Sequence, residues 1–462
     1  MKPFATLVLS IVLIGMALDF GGVQPAGYNL GEIVLFLTML LFLVSQTRAG
    51  VISLPLPIWP FLFTGWVALE IIPFPAGLVK ALDPARDFSP TLGPSPLPAS
   101  PFLTLSLYPH DTIAALLKFL LYVTAFVIAA LVFDSRKGKS GLLRALVALG
   151  CFEAVYGIIQ VLMGWQNIFS YAKQFDRDDA TGTYINHNHF AGMLELVLPF
   201  LLALAYYSHS QLSERSGAWR NPLNSGSDSP HRFQWLYYLF LAGVMGLAII
   251  LSHSKAGMLS ILFVVIGLAF LVRLQGQRKA SVLGVLIFGM IALGFGIWTG
   301  LAPVLTRFRQ LEEAGFFQRA DARLSIWKDA LHLLGDYRWT GTGLGTFGVA
   351  FLRYQTTMTA SFVDHAHNDF LELATETGWI GALLVFGPIV YLLFRMVYSF
   401  LDDSHRYRRA VTLGCIGAVL GLLTYSVTDF NLEIPANALA FAMILGIGYK
   451  AACIERSGES SH

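Results

Sequence analysis

Residues 112–133 read TIAALLKFLLYVTAFVIAALVF, and Lys118 is the only charged residue among them. A helix of about 20 apolar residues is long enough to cross the hydrocarbon core of a bilayer, which is about 30 Å thick. A helix also satisfies its own backbone hydrogen-bonding groups, which lipid cannot do. This stretch therefore predicts a transmembrane helix.

The composition of the whole chain leads to the same class of protein. Of its 462 residues, 55% are hydrophobic and only 13% are charged, and the mean hydropathy is +0.62. Soluble domains carry about 25% charged residues, so this chain cannot cover the surface of water-exposed domains. The net charge of +2 gives no indication of nucleic-acid binding. We expect an integral membrane protein that does not bind nucleic acid.

Similar apolar stretches recur along the chain. A window of about 20 residues finds about twelve of them. They lie near residues 4–20, 31–46, 54–75, 112–133, 142–163, 189–207, 234–252, 256–273, 281–300, 379–397, 410–428 and 434–452. The expected fold is all-α: a polytopic membrane protein of about 12 transmembrane helices.

These spans divide the chain into three parts. Residues 1–300 would form transmembrane helices 1–9 with short loops, residues 301–378 a large helical loop between the ninth and tenth spans, and residues 379–462 helices 10–12 with a tail. When the N-terminus is placed in the cytoplasm, lysine and arginine recur in every alternate loop on the cytoplasmic side. We therefore expect both termini inside and the 301–378 loop outside.

Three ionisable residues, Lys118, Glu153 and Glu195, lie within predicted spans. Because an isolated charge in hydrocarbon is costly, we expect Lys118 to pair with Glu195 or with Glu153. Such residues also occur in proton-coupled exporters, so a polytopic exporter of polysaccharide or another substrate is an alternative function. The other unusual polar residues concentrate outside the spans, which favours a site at the outer face.

The strongest local signal is HAHNDFLELATETGWIG at residues 365–381. A helix that starts near Asp364 would carry a polar stripe. The stripe consists of His365, Asn368, Asp369, Glu372 and Glu376. His367 would point the other way, toward the helix bundle, where it could act as a general base. The alternative is that the carboxylates form a solvated helix face and that His367 is a structural histidine.

Two arginines precede this segment. Arg323 lies in ADARLSIWKDALHLLGD, residues 320–336, and Arg319 immediately precedes this stretch. The two arginines are therefore one helical turn apart. Guanidinium groups bind phosphate oxygens through paired hydrogen bonds, so two arginines on one face suit a diphosphate. The alternative is contact with lipid headgroups.

The next segment, GTGLGTFG, places Gly343, Gly345 and Gly348 in the pattern G-x-G-x-x-G. A dinucleotide site would need a preceding strand in a βαβ unit, and this segment follows a predicted helix instead. Two interpretations remain. The backbone N–H groups of the turn could approach a phosphate, or the turn allows two helices to pack closely.

Histidines also occur in pairs at the outer ends of spans. Residues 186–189 read NHNH, and the pair His187 and His189 has the same spacing as His365 and His367. Residues two apart diverge by about 200° on a helix, so each pair could converge only in an extended loop. We therefore expect no metal site.

Together these motifs resemble the O-antigen ligase/polymerase superfamily of bacterial envelope enzymes. The resemblance is carried by Arg323 four residues before Trp327, by the glycine turn, by AHNDFLELATETGWIG and by NHNHFAG at residues 186–192. It implies a GT-C-like membrane glycosyltransferase in the bacterial inner membrane with its active site on the periplasmic face. The donor would be an undecaprenyl-diphosphate-linked glycan, and the acceptor a growing glycan, lipid A core or a protein.

The resemblance also implies roles for individual residues, with no metal and no cofactor. His367 would be catalytic, and Arg323 would bind the diphosphate. The family has a second arginine in a Ser-Arg-Gly-like segment where this chain reads Ser254-Lys255-Ala256, so Lys255 would supply a point charge there. The other expected substrate-binding residues are Arg319, Asn368, His365, Asp369, Asn186, His187 and His189.

The acceptor decides between several activities within this superfamily. A ligase, a repeat-unit polymerase and a protein O-oligosaccharyltransferase share these motifs. The sequence favours a polysaccharide ligase or polymerase, with the oligosaccharyltransferase as an alternative.

Overall fold

The computed structural model describes residues 1–48, 56–86, 101–135, 140–215, 233–275, 316–356 and 362–454. Within these ranges the protein is mostly helical, and its strands form two short antiparallel pairs rather than a closed sheet. Strand β1 (Phe74–Pro75) pairs with β2 (Phe102–Leu103), and β3 (Asn167–Ile168) pairs with β4 (Tyr171–Ala172).

The described α-helices are numbered here in chain order. They are α1 (Lys2–Leu18), α2 (Pro25–Arg48), α3 (Trp59–Ile71), α4 (Ala76–Leu82), α5 (Pro109–Val132), α6 (Gly141–Leu162), α7 (His187–Arg215), α8 (Gln234–Leu251), α9 (Lys255–Leu274), α10 (Phe316–Asp336), α11 (Phe347–Phe351), α12 (Asp369–Asp402), α13 (Arg406–Tyr425) and α14 (Pro435–Tyr449).

Eight helices among the described residues are long and apolar enough to cross a membrane. They begin at Pro25, Pro109, Gly141, His187, Gln234, Lys255, Asp369 and Pro435. The prediction of an all-α, multi-pass membrane protein is therefore confirmed in outline. The number of spans stays a prediction, because α1 and α3 are shorter, α13 is not among the eight, and residues 281–300 lie outside the described part.

Helices α7 and α14 form the centre of the bundle. In each of them 78% of the most apolar stretch is buried. Helix α7 packs against α13 and α8, and α14 packs against α5. The loop between α13 and α14, residues 426–434, lies where α7, α12 and α14 begin. This is called the site end of the bundle below.

Helix α12 is broken at Gly378, which has a φ of 67°. A Cβ atom there would collide with the backbone carbonyl of Trp339. The close approach is stabilised by the amide of Trp379, which donates to the carbonyl oxygen of Arg338 at 2.9 Å. The predicted tenth span started at residue 379, immediately after this break, and the structure shows that the helix extends back to Asp369.

The predicted pairing of Lys118 with Glu195 or Glu153 is wrong. Helix α5 packs against α2, and the Lys118 ammonium lies 5.4 Å from the ring centroid of Tyr28 in that helix. The carboxylate of Glu153 instead accepts hydrogen bonds from the backbone N–H and the hydroxyl of Thr183, at 2.9 and 2.6 Å.

Candidate functional site

Three histidine rings surround Phe430 in the loop between α13 and α14. His365 stacks on the Phe430 ring with a centroid distance of 4.2 Å and an interplanar angle of 16°. His367 and His189 meet the same ring edge-on, at 4.9 and 4.8 Å. Sequence reasoning selected all three histidines, but it did not single out Phe430.

His365 forms an ion pair with Glu372. Its Nδ1 lies 2.7 Å from Oε1 of Glu372, while Oε2 accepts a hydrogen bond from the Ala366 amide at 2.8 Å. Burial alone would lower the pKa of His365, but the charge and hydrogen bond of Glu372 outweigh it and raise the pKa to about 10. His365 is therefore an imidazolium at neutral pH.

His367 faces a different carboxylate. Its Nδ1 lies 3.6 Å from Oδ1 of Asp429, which is longer than a hydrogen bond. This nitrogen is enclosed by protein, although 33% of the side chain is exposed. The exposed part of the side chain therefore does not include Nδ1.

Asp429 is almost fully buried, with only 1% of its surface exposed. Burial would raise the pKa of this carboxyl, yet the imidazole of His367 and the charges of His189 and Arg323 hold it below its ordinary value. Asp429 is therefore an anion beside His367. The sequence signal that could have indicated Asp429 is its position as an acidic residue in the short gap between the predicted spans 410–428 and 434–452.

Helix α10 connects the two loops that form the site. Arg323 donates from a guanidinium nitrogen to the carbonyl oxygen of Thr428 at 2.8 Å. Trp327, one turn later, donates from its indole nitrogen to the carbonyl oxygen of Ala366 at 2.9 Å. The Arg-Trp pair thus lies beside both His367 and Asp429. Arg319 precedes them in the same helix, and its side chain lies outside the described part.

The helix after His367 begins later than predicted. Asn368 is its N-cap, since the Asn368 side chain accepts a hydrogen bond from the Leu371 amide at 3.0 Å. His365 and His367 therefore lie before the helix, and His367 has a φ of 50°. The predicted orientation of His367 toward the bundle side of a helix is wrong, because the residue precedes the cap and reaches Asp429.

The predicted acidic stripe is present, but water does not cover it. Asp369, Glu372 and Glu376 are 4%, 3% and 3% exposed. Asp369 accepts a hydrogen bond from the hydroxyl of Ser426 at 2.6 Å, and Glu376 accepts one from the Phe347 amide at 2.9 Å. Each carboxylate holds a loop at the site end, so the solvated-face interpretation is wrong.

The polar side chains at the start of α7 point to two different parts of the structure. The Asn186 side chain accepts a hydrogen bond from the Asn188 amide at 2.8 Å and so supports the first turn. His187 turns away from Phe430, and its Nδ1 lies 2.7 Å from Oδ2 of Asp176. Only His189 of this segment meets the histidines around Phe430.

Lys255 is the exposed first residue of α9. The preceding Ser254 has its hydroxyl 2.7 Å from that of Tyr425, which in turn donates to the carbonyl oxygen of Asn188 at 2.9 Å. These contacts place the start of α9 at the same end of the bundle as α7 and the 426–434 loop.

The glycine turn has a packing role. The Gly343 amide donates to the carbonyl oxygen of Glu376 at 2.7 Å, and the Leu344 amide donates to a carboxylate oxygen of Glu70 at 3.1 Å. These N–H groups are therefore used within the protein. Of the two interpretations, the structure favours close packing over phosphate binding by the turn.

An apolar groove of about 1100 Å³, including the space open to solvent, runs beside the site. Helices α3, α5, α12 and α14 line most of it. Its walls include Trp59, Phe63, Phe119, Phe126, Phe386, Ile389, Phe441 and Leu445. Lys118, Asp369, Glu376 and Glu433 give it a polar portion.

Two groups of side chains are close enough to hold a metal ion within the described part of the chain. One consists of His365, Glu372 and Glu433, and the other of Asp176, Asp179 and His187. In the first group the ring nitrogen of His365 is already bound to Glu372.

Comparison with known proteins supports the resemblance drawn from the motifs. Residues 240–386 match the family model described as O-antigen ligase. No curated protein matches the chain. The matched segment contains Lys255, Arg323, His365 and His367, whereas Asp429 and Phe430 lie beyond it. Residues 240–386 are therefore similar to an O-antigen ligase domain, and this match confirms the resemblance to the O-antigen ligase/polymerase superfamily.

Proposed function

We propose that the protein is a glycosyltransferase of the bacterial inner membrane that acts on its periplasmic face. It would move a glycan from an undecaprenyl-diphosphate carrier to an acceptor during assembly of O-antigen or another surface polysaccharide. The observation that supports this most directly is the position of His367. It lies between Asp429 and Phe430, and Arg323 binds the adjoining carbonyl of Thr428. A base and a phosphate-binding cation are thus close together.

His367 would remove the proton from the acceptor. As the acceptor oxygen or nitrogen bonds to the anomeric carbon, the bond from that carbon to the diphosphate oxygen breaks, and the diphosphate leaves with the electron pair. The acceptor proton passes to His367, and the anionic Asp429 stabilises the resulting imidazolium. His365 is unsuited to this step because its pKa of about 10 keeps it protonated.

Cationic groups at the site end would hold the diphosphate. Arg323 supplies a guanidinium, His365 supplies an imidazolium, and Lys255 and Arg319 would add charges at the margins. Diphosphate is a good leaving group once its charge is compensated, so the reaction centre would need no metal. The protein would then accelerate the reaction mainly by positioning the acceptor and removing its proton.

The apolar groove supports a lipid-linked donor. Its aromatic and aliphatic walls suit an isoprenoid chain, which gains free energy by leaving water for an apolar surface. Asp369 and Glu376 border the groove and also brace the site. A single lipid-linked molecule could therefore place its chain in the groove and its diphosphate near Arg323.

The deciding experiment is transfer by purified protein in detergent or nanodiscs. Lipid-linked glycan is incubated with lipid A core, with a second lipid-linked glycan or with a protein acceptor, and product mass is measured. Mass added to lipid A core identifies a ligase, a lengthened lipid-linked glycan a polymerase, and a modified protein an oligosaccharyltransferase. Absence of transfer and of donor consumption with every acceptor would contradict the proposal.

A further inference from the structure

Lys118 carries a charge inside α5, a helix that is long and apolar enough to cross the membrane. It lies about 14 Å along the helix axis from Pro109, the first residue of α5. An ionisable side chain at such a depth is costly and is a candidate for function. We propose that Lys118 binds the phosphate next to the isoprenoid chain of the lipid-linked donor, while Arg323 binds the phosphate next to the glycan. This inference rests on the proposed function.

The ammonium of Lys118 has no direct acidic partner in the part of the chain that the structure describes. It lies 5.4 Å from the ring centroid of Tyr28, and it forms no ion pair or hydrogen bond with another described residue. Glu32, one turn after Tyr28 in α2, is near enough for its charge to interact with that of Lys118. Because this compensation acts only from a distance, the ammonium would gain from an anionic ligand.

Lys118 is half-buried and lines the apolar groove between its polar end and its deep end. One turn earlier in α5, Ala115 packs on the glycine turn, where a Cβ atom at Gly345 would come within 2.7 Å of the Ala115 Cβ. Two turns after Lys118, Phe126 packs on α14, where a Cβ atom at Gly446 would collide with the Phe126 carbonyl oxygen. Lys118 therefore lies between the site end and the depth of the bundle.

The carboxylates that border the groove are engaged elsewhere. Asp369 and Glu376 are buried and accept hydrogen bonds from other segments. Glu433 has a carboxylate oxygen within 4.8 Å of a ring nitrogen of His365, so the groove also reaches the site through this residue. Among the described residues that line the groove, Lys118 is the one with a cationic side chain.

The covalent structure of the donor assigns one phosphate to each cation. In a prenyl diphosphate, one phosphate carries the isoprenoid chain and the other carries the glycan. When the chain occupies the groove, the phosphate attached to it lies on the side of Lys118, and the glycan and its phosphate continue toward Arg323 and His367. An ammonium binds a phosphate as a point charge and does not require the paired geometry of a guanidinium.

The test compares the binding of undecaprenyl phosphate with that of undecaprenol, the uncharged alcohol, to protein in phosphatidylcholine nanodiscs. Neither glycan nor acceptor is present. Wild type should bind the phosphate about tenfold or more tightly than the alcohol, because a charge-assisted hydrogen bond contributes about that much. Lys118→Met keeps an unbranched apolar stem and should lose this preference. Lys118→Arg restores a cation and should keep it.

Two control variants retain the cation at position 118. Lys80→Met removes an exposed lysine of α4, and Arg323→Ala removes the guanidinium assigned to the other phosphate. Both should keep the preference for undecaprenyl phosphate. Excess inorganic phosphate should not displace the lipid, since it lacks the apolar chain. Replacing phosphatidylcholine with phosphatidylglycerol should leave the preference in place.

Several results would overturn the proposal. Wild type could bind the two lipids equally, or folded Lys118→Met could keep the preference, as judged by a Tm close to that of wild type. Loss of the preference with inorganic phosphate or phosphatidylglycerol would show that the ammonium binds free phosphate or ordinary lipid headgroups instead.

This binding test is separate from the test of transfer. If no acceptor yields a product but the preference of wild type depends on Lys118, the proposed function fails and the prenyl-phosphate site remains. If transfer occurs and Lys118→Met keeps both the lipid preference and the donor KM, this inference alone fails. Where both hold, Lys118→Met should raise the donor KM more than it lowers kcat.

Discussion

The two His-x-His segments have the same spacing, but the histidine side chains separate in one segment and lie together in the other. His187 and His189 lie in the first turn of α7, and their side chains separate, one toward Asp176 and the other toward Phe430. His365 and His367 lie in the non-helical segment before α12, and both rings contact Phe430. The backbone conformation, rather than the residue pattern, decides whether two such histidines act together.

The histidines also differ in their acidic partners. His365 has its proton fixed by Glu372, whereas His367 faces Asp429 at 3.6 Å and keeps an exposed edge. His189 touches the same aromatic ring, but its Nε2 is buried and has no hydrogen-bond partner. A base must reach its substrate in its neutral form, so burial sets His189 apart from His367, and the ion pair with Glu372 sets His365 apart.

The largest expected effect comes from replacing His367. His367→Ala should reduce transfer by about 100-fold or more, because a positioned general base contributes about 10²–10⁴ in rate. Tm and helical content should stay close to wild type, since the side chain is one-third exposed. His189→Gln is the comparison from the other segment, and it should retain most of the activity. Equal losses in both variants would contradict the assignment of the base.

Arg323→Ala should produce the next largest effect. Loss of a charged hydrogen-bonding group typically costs about 1.5–3 kcal/mol, so the apparent affinity for the lipid-linked donor should fall roughly 10- to 100-fold. The KM for the acceptor should change less. Arg338→Ala removes an exposed arginine just after the same helix and is the matched control. An unchanged donor KM in Arg323→Ala would rule out its role with the diphosphate.

The ion pair of His365 predicts a pH dependence of stability. Its pKa is raised from 6.5 to about 10 on folding. The folded state therefore binds the proton more tightly, and this stabilisation is complete below pH 6.5 and is lost as pH rises toward 10. Wild type should have a higher Tm than His365→Gln near pH 6.5, and the two values should converge near pH 10. A difference that is constant with pH would argue against the imidazolium.

Trp327→Phe should have the smallest effect. It removes one hydrogen bond, from the indole nitrogen to the Ala366 carbonyl oxygen. A neutral hydrogen bond contributes about 1 kcal/mol, so Tm should fall by a few degrees. Because Ala366 lies between His365 and His367, kcat should fall more than the donor KM rises. Steady-state kinetics measure both constants. A rise in donor KM that exceeds the fall in kcat would show that Trp327 acts in donor binding instead.

Hydropathy by itself determined the class of fold. Lipid offers no hydrogen bonds to the backbone, so a long apolar stretch has to be helical wherever it lies in the chain. The same local reasoning found the histidines and the Arg323–Trp327 pair, because motifs are also local. It placed the start of α12 too early, because Asn368 looks like a member of the stripe until its capping hydrogen bond is seen.

Tertiary structure decided which of these residues meet. Asp429 and Phe430 come from a loop far along the chain, and only the packing of α13 and α14 beside α7 brings them to His367 and His189. Other long-range contacts place Lys118 beside Tyr28, through the packing of α5 on α2, and His187 beside Asp176. Contacts between distant segments depend on how helices pack against each other, and the hydropathy of a single segment contains no information on that choice.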